Sequence, residues 1–135
     1  MQTLLLVDDE KEKLQQMESV AGGTDRRILK SCGRDDALQV IEGEQLDLVV
    51  TDLALHTKGG DRDGLDVLRA AKAKDPEVPV ILISAYLTAR DAEDALDQGA
   101  FDIIDRASSQ LDSRRLLRLK IEQALRLREA LHHSM

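Results

Sequence analysis

The sequence contains few of the residues that mark many other classes of protein. Its 135 residues include one cysteine, two prolines, no tryptophan, one tyrosine and one phenylalanine. The single cysteine, Cys32, excludes an internal disulfide and supplies no thiolate metal site, so we expect a reducing cytoplasm and a buried, unreactive thiol. Because aromatic side chains are so rare, the core must be aliphatic, which suits strands that pack between helices.

Long apolar runs and an excess of basic charge are also missing. No run of about 18 apolar residues is present and no basic region precedes Thr3, so we expect neither a membrane span nor a signal peptide. The formal net charge is −7, which argues against a general binder of nucleic acid or anionic membranes, because both are negatively charged. Residues 111–135 differ, with six lysines and arginines against three acidic residues.

The chain alternates short apolar runs with amphipathic segments, at a length that suits one domain. This order predicts an α/β protein whose parallel sheet carries helices on both faces. Strands are predicted near residues 3–7, 27–32, 46–51, 80–84 and 102–105, and helices near 12–21, 35–43, 64–74, 89–98 and 112–132. At the helix boundaries, Asp35 is predicted to cap the second helix, Thr88 and Asp91 to form a capping box, and Pro76 and Pro79 to end the third helix.

Polar side chains follow three of the predicted strands. The first apolar run ends in Asp8 and Asp9, the third in Asp52 and the fourth in Ser84. Ligands of open parallel sheets bind outside the carboxyl ends of the strands, so we expect these groups to meet there. Three carboxylates with backbone carbonyls and waters suit Mg²⁺, and an aspartate beside such an ion can act as a nucleophile and form an aspartyl phosphate.

Four segments carry a resemblance to a known family: LVDDE at 6–10, LVVTDL at 48–53, VILISAY at 80–86 and GAFDII at 99–104. Together they resemble the receiver domain of two-component response regulators. The resemblance covers about residues 2–120 and implies a flavodoxin-like, doubly wound (βα)5 sandwich with strand order 2-1-3-4-5. By this resemblance, residues 1–135 form a single receiver domain, in which residues 121–135 extend the C-terminal helix or form a linker.

The resemblance also implies roles for individual residues in a signalling module that is not an enzyme. Asp52 would accept a phosphoryl group from a phosphohistidine on a sensor histidine kinase or phosphotransfer protein. Asp9 would bind Mg²⁺ directly and Asp8 mainly through water, and the backbone carbonyl of Ala54 would complete the metal site. Ser84 would hydrogen-bond the phosphoryl oxygens and help to reposition the following loop.

Several positions depart from the pattern of the family. Arg106 and Ala107 replace a lysine followed by a proline; arginine keeps the charge and can contact phosphate, but its geometry differs. Ile103 replaces the usual switch tyrosine or phenylalanine. Tyr86 either takes over part of that role, shields the phosphate, or is an ordinary half-buried ring. Residues 54–64 form a long loop, either a functional lid or a neutral surface insertion.

The last predicted helix has two apolar faces. The first contains Leu117, Ile121, Ala124, Leu125 and Leu131 and is sufficient to cover the sheet; the second contains Leu116, Leu119 and Leu127. The second face and the helix length indicate contact with another copy or a linker to an output domain. Its arginines favour a solvated basic face over nucleic-acid binding.

Two further functions are compatible with the sequence. Because Ile103, Arg106 and Ala107 are altered, the chain can also be interpreted as an atypical receiver that acts as a phosphorylation-independent interaction domain. A Mg²⁺-dependent phosphatase is disfavoured, since such an enzyme would need an acid where Ala54 stands.

Overall fold

The computed structural model describes residues 1–55, 62–106 and 113–133, and the side chains of the last helix as far as residue 131. Within these ranges, five strands alternate with five helices. The strands are β1 (Gln2–Val7), β2 (Arg26–Ser31), β3 (Leu48–Asp52), β4 (Val80–Ser84) and β5 (Asp102–Asp105). The helices are α1 (Lys11–Ala21), α2 (Arg34–Gly43), α3 (Asp63–Lys74), α4 (Ala89–Asp97) and α5 (Ser113–His133).

All strand pairs are parallel and the sheet has the order β2-β1-β3-β4-β5. This confirms the predicted flavodoxin-like fold with its long C-terminal helix. β3 and β4 are buried along their whole length, because helices cover both faces of the central strands. Their sequences, LVVTD and VILIS, are accordingly almost continuous apolar runs that end in a polar group.

Two aliphatic clusters fill the space on the two sides of the sheet. In β1, Leu5 and Val7 point to the cluster under α2, α3 and α4, whereas Leu4 and Leu6 point to the one under α1 and α5. This alternation follows from the two-residue period of a strand. Phe101 contributes only at the margin of the second cluster, so the core is aliphatic as predicted.

Two local predictions are wrong. Asp35 does not cap α2, because the helix already begins at Arg34 and its N-cap is the extended residue Gly33. Asp35 instead lies in the first turn, where a negative charge interacts favourably with the helix dipole. Cys32 is exposed rather than buried, because it lies just beyond the end of β2, an edge strand of the sheet.

The Thr88 half of the predicted capping box and the end of the third helix are confirmed. The Thr88 side chain accepts a hydrogen bond from the backbone N–H of Asp91 at 3.1 Å, so it caps α4 as an N-cap residue should. α3 ends at Lys74, just before Pro76, where the chain can no longer continue as a helix.

One face of α5 packs on the sheet. Leu117, Ile121, Ala124 and Leu125 are buried, whereas Leu119 is 53% exposed and Leu127 is 47% exposed. The helix is anchored near its far end by Arg128, whose Nη2 lies 2.6 Å from Asp75 Oδ2, in the segment between α3 and β4. Among the helices that the structure describes, none is both long and apolar enough to cross a lipid bilayer.

Candidate functional site

The structure brings the predicted polar residues to one edge of the sheet. Val7 pairs with Thr51, so Asp8, just after β1, and Asp52, the last residue of β3, lie at neighbouring positions on adjacent central strands. Ser84 is the last residue of β4 and pairs with Asp105 at the end of β5. The backbone N–H of Arg106 donates a hydrogen bond to the Ser84 carbonyl at 2.9 Å. The parallel topology therefore collects these groups from four separate parts of the sequence.

The carboxylates at this edge are deeply placed. Asp8 is fully buried and Asp52 is 8% exposed. One oxygen of each accepts a backbone hydrogen bond, from Glu10 N at 2.9 Å to Asp8 Oδ1 and from Ala54 N at 3.1 Å to Asp52 Oδ1. Two further oxygens, Asp8 Oδ2 and Asp9 Oδ1, are buried without a hydrogen-bond partner. Buried acceptors of this kind are costly unless something binds them.

Burial also changes the proton affinity of these acids. The pKa of Asp8 is raised to about 6, mainly by burial and also by the nearby Asp52, against the lowering effect of the Glu10 N–H. The pKa of Asp52 is likewise raised, mainly by burial, while the Ala54 N–H, Arg106 and Lys13 lower it. Burial therefore disfavours the charged forms of both acids, and Lys13 and Arg106 offset this only in part. An added cation would stabilise the charged carboxylates.

The donor set fits a hard cation that keeps part of its water shell. Within the described ranges, no three acidic, histidine or cysteine side chains lie close enough together to form a preassembled metal cage. Carboxylates near one another repel, by roughly 4 kcal/mol at about 4 Å for an effective dielectric of 20. Mg²⁺ is commonly held by one or two carboxylates and several waters. The unpaired oxygens of Asp8 and Asp9, with Asp52 beside them, fit such a site.

One cation of this edge was missed by the sequence analysis. Lys13 lies in the first turns of α1, and its Nζ is 2.6 Å from Glu10 Oε2. Its charge lowers the pKa of both Asp8 and Asp52, as that of Arg106 does. The sequence did contain a signal for Lys13, because a lysine shortly after the Asp pair, at the start of a predicted helix and three residues from Glu10, is placed to reach the same edge of the sheet.

The residues predicted to take part in the switch do not lie together in one place. Ile103 is partly buried and packs against the aliphatic cluster under α2, α3 and α4. Tyr86 is 84% exposed, so of the three alternatives given for it the half-buried ring is wrong, and the other two stay predictions. The predicted lid lies mostly outside the described residues, as does Ala107.

The start of α3 is tied closely to the end of β3. A Cβ atom added to Gly64 would lie 2.3 Å from the Asp52 carbonyl oxygen, and Gly64 N donates a hydrogen bond to the Leu53 carbonyl. Only glycine allows this approach of the two backbones. Arg62, just before α3, forms ion pairs with Asp91 and Asp94 of α4, so the segment after Asp52 is linked to α4.

The fold and this site define a class of protein: a doubly wound, flavodoxin-like domain with an acidic site at the carboxyl edge of its sheet. The family model for the response regulator receiver domain matches residues 4–118. The chain therefore belongs to the response regulator receiver domain family of two-component systems.

Relatives and solved structures agree with this assignment. The response regulator protein PilR of Pseudomonas aeruginosa is 32% identical over 127 residues, which cover 94% of this chain and 27% of PilR. The crystal structure of a CheY-like receiver domain protein from Methanospirillum hungatei has a TM-score of 0.82 at 22% identity, covering 96% of this chain and 98% of that one. The receiver domain of NtrX from Brucella abortus has a TM-score of 0.75 at 29% identity, covering 91% and 98%. The chain spans about a quarter of the length of the curated relatives that it matches.

Proposed function

We propose that the chain is a phosphoacceptor receiver domain in which Asp52 takes a phosphoryl group from a histidine kinase or phosphotransfer protein. The observation that supports this most directly is the state of the Asp52 side chain. Its Oδ1 is oriented by the Ala54 N–H, whereas Oδ2 makes no hydrogen bond to the described residues. One carboxylate oxygen is thus held in place and the other remains available as a nucleophile.

The transfer is a displacement at phosphorus. Asp52 Oδ2 attacks the phosphorus atom and forms a P–O bond, while the P–N bond to the donor histidine breaks and its electron pair stays on the imidazole nitrogen. Ser84 is 5% exposed and ends the neighbouring strand, where its hydroxyl would donate to a phosphoryl oxygen. Arg106 would contribute its positive charge.

The metal site belongs to the same proposal. Asp8, Asp9, Asp52 and the backbone carbonyl of Ala54 would hold Mg²⁺, with Asp9 bound directly and Asp8 mainly through water. The ion would neutralise charge on the carboxylates and on the transferred phosphoryl group. The two buried acceptors without partners support this assignment.

Signalling would follow from the added charge. An aspartyl phosphate carries close to two negative charges, which reorganise the loops after β4 and β5. The signal would pass to an output domain or a second copy through α5, whose outer side exposes Leu119 and Leu127. Residues 1–135 would then act as one receiver domain with a helical extension from about residue 121.

The phosphorylation state of the purified chain tests this function. Incubation with Mg²⁺ and acetyl phosphate, followed by intact-mass spectrometry, should add one phosphoryl group to the wild type. Asp52→Asn should add none, whereas Asp36→Asn, which changes an exposed acid on α2, should label as the wild type does. A wild type that stays unlabelled both with acetyl phosphate and with a cognate kinase would contradict the proposal.

A second function is favoured by the packing of Ile103. This side chain is aliphatic and contacts the core cluster, so it cannot make the ring rotation expected of an aromatic switch. The chain would then be an interaction domain that is indifferent to phosphorylation. Beryllofluoride distinguishes the two functions: changes in amide NMR shifts beyond the immediate surroundings of Asp52 support the switch, and their absence supports the interaction domain.

A further inference from the structure

Lys13 and Arg106 lie close to each other at the carboxyl edge of the sheet, although they come from different parts of the fold: Arg106 follows β5 and bonds the Ser84 carbonyl, and Lys13 pairs with Glu10, whose backbone bonds Asp8. Lys13 and Arg106 both line a small cavity of about 30 Å³ between α1, the ends of β4 and β5, and the start of α5. Ile83 and Ile104 form part of its apolar wall. Arg114 is a third cation of the same lining. Charges beside an apolar wall are less well screened than charges on the open surface.

The two cations are held differently. The Lys13 ammonium is paired with Glu10 at 2.6 Å, and both side chains are partly exposed, at 37% and 53%. The Arg106 side chain makes no hydrogen bond to any residue of the described ranges. A partly exposed ion pair such as Lys13–Glu10 is weak and exchanges readily. Lys13 can therefore leave Glu10 when a stronger anion arrives.

We propose that Lys13 acts beside Arg106 as a second positioning cation of the Asp52 site. It attracts anionic phosphodonors toward Asp52, and it exchanges Glu10 for the phosphoryl group once that group is attached. This inference rests on the proposed phosphoacceptor function. It follows from the shared cavity and the exchangeable ion pair, and the influence of Lys13 on the pKa values of Asp8 and Asp52 supports it.

The proposal predicts opposite changes in Mg²⁺ affinity and in phosphorylation rate, which a purely structural role for Lys13 would not produce. The lysine charge repels a metal ion at the carboxylates but attracts a phosphoryl group. Loss of the charge should therefore tighten Mg²⁺ binding and at the same time slow phosphorylation. Damage to the fold would weaken both.

The test compares the wild type with Lys13→Gln, Lys13→Arg and Lys11→Gln in the full chain. Lys11 is exposed in the first turn of the same helix, does not line the cavity, and serves as the matched control. Mg²⁺ affinity is measured by isothermal titration calorimetry without phosphodonor. Initial labelling by subsaturating acetyl phosphate is measured by intact mass at low and at high ionic strength.

We expect Lys13→Gln to bind Mg²⁺ severalfold more tightly and to be labelled roughly tenfold more slowly, as expected for the loss of an attractive charge. Added salt should reduce the difference in rate. Lys13→Arg should restore the rate, and Lys11→Gln should match the wild type in both measurements.

Two results would overturn the proposal: labelling of Lys13→Gln at the wild-type rate, or a joint loss of rate and Mg²⁺ affinity. Failure of the wild type to be labelled is a different result, because it refutes the phosphoacceptor function itself.

Discussion

At the scale of single residues, Asp8 shows how the site balances burial against charge. Its side chain is fully buried, and only one of its oxygens has a hydrogen-bond partner. The unpaired oxygen and the raised pKa have the same cause, since the fold removes water from a carboxylate without supplying a full set of donors. The folded protein therefore binds a proton at Asp8 more readily than the unfolded chain does, and a bound cation would oppose this effect.

This imbalance predicts a dependence of stability on pH in the presence of a chelator. The pKa of Asp8 is about 6 in the folded protein against an ordinary value of 3.8, so between these values the folded state binds more protons than the unfolded state. Stability should therefore fall as pH rises from about 4 to about 6, and remain lower above that range. Urea unfolding followed by circular dichroism at several pH values, in EDTA, measures this effect.

Asp8→Asn provides the comparison for the same experiment. The variant cannot ionise at this position, so its stability should fall less over the range, by about 1 to 3 kcal/mol relative to the wild type. Equal pH profiles for the two proteins would show that Asp8 ionises in the folded state as easily as it does in water.

At the scale of elements, α5 illustrates how one helix combines a covering face with an exposed one. Ile121 is fully buried in the cluster that α5 shares with α1, whereas Leu119, two residues earlier, is 53% exposed. The helix is held at its far end by Arg128, which is 7% exposed and pairs with Asp75. The orientation of α5 about its axis therefore depends on apolar packing along its length and on several ion pairs, which include Lys120–Asp102 and Glu122–Arg26 as well as Arg128–Asp75.

The two hydrophobic positions should respond very differently to truncation. Ile121→Ala should lower the free energy of unfolding by about 2 to 5 kcal/mol, because it leaves a cavity in the core. Leu119→Ala should change it by less than about 0.5 kcal/mol, because its side chain is largely in water. Chemical denaturation followed by circular dichroism measures both. Similar losses for the two variants would mean that α5 is rotated relative to the described orientation.

At the scale of the whole molecule, the net negative charge and the carboxylate oxygens without hydrogen-bond partners should make the stability of the domain depend on bound cations. A ligand that binds only the folded state stabilises it, by about 2.7 kcal/mol at a concentration 100 times its Kd. Mg²⁺ should therefore raise the Tm of the wild type by several degrees. Calorimetry suits the measurement, because the chain has no tryptophan to report unfolding by fluorescence.

Binding of Mg²⁺ at the acidic site, rather than general screening of negative charge, should account for this rise in Tm. Asp9→Asn should reduce it strongly, whereas Asp36→Asn, which removes the same charge from an exposed position on α2, should leave it nearly intact. Equal shifts in all three proteins would indicate nonspecific screening of the net charge of −7.

Much of the fold could be predicted because its signals are local. The run 46–51 became β3 at Leu48–Asp52, and the helix predicted at 112–132 became α5 at Ser113–His133. Thr88 caps α4 as its sequence context indicated. Such features depend on hydrophobic period and on hydrogen bonds between near neighbours, which are fully specified by a few consecutive residues. Asp35 shows the limit, because Gly33 in extended conformation occupies the N-cap position instead.

The sequence by itself determined the alternation of elements, the parallel sheet and the set of acids at the strand ends, since period and strand polarity are properties of short segments. Only the tertiary structure decided that Lys13 shares a cavity with Arg106, that Gly64 meets the Asp52 backbone and that Cys32 lies in solvent. These features depend on how distant segments approach one another, and such distances follow from packing across the whole sheet.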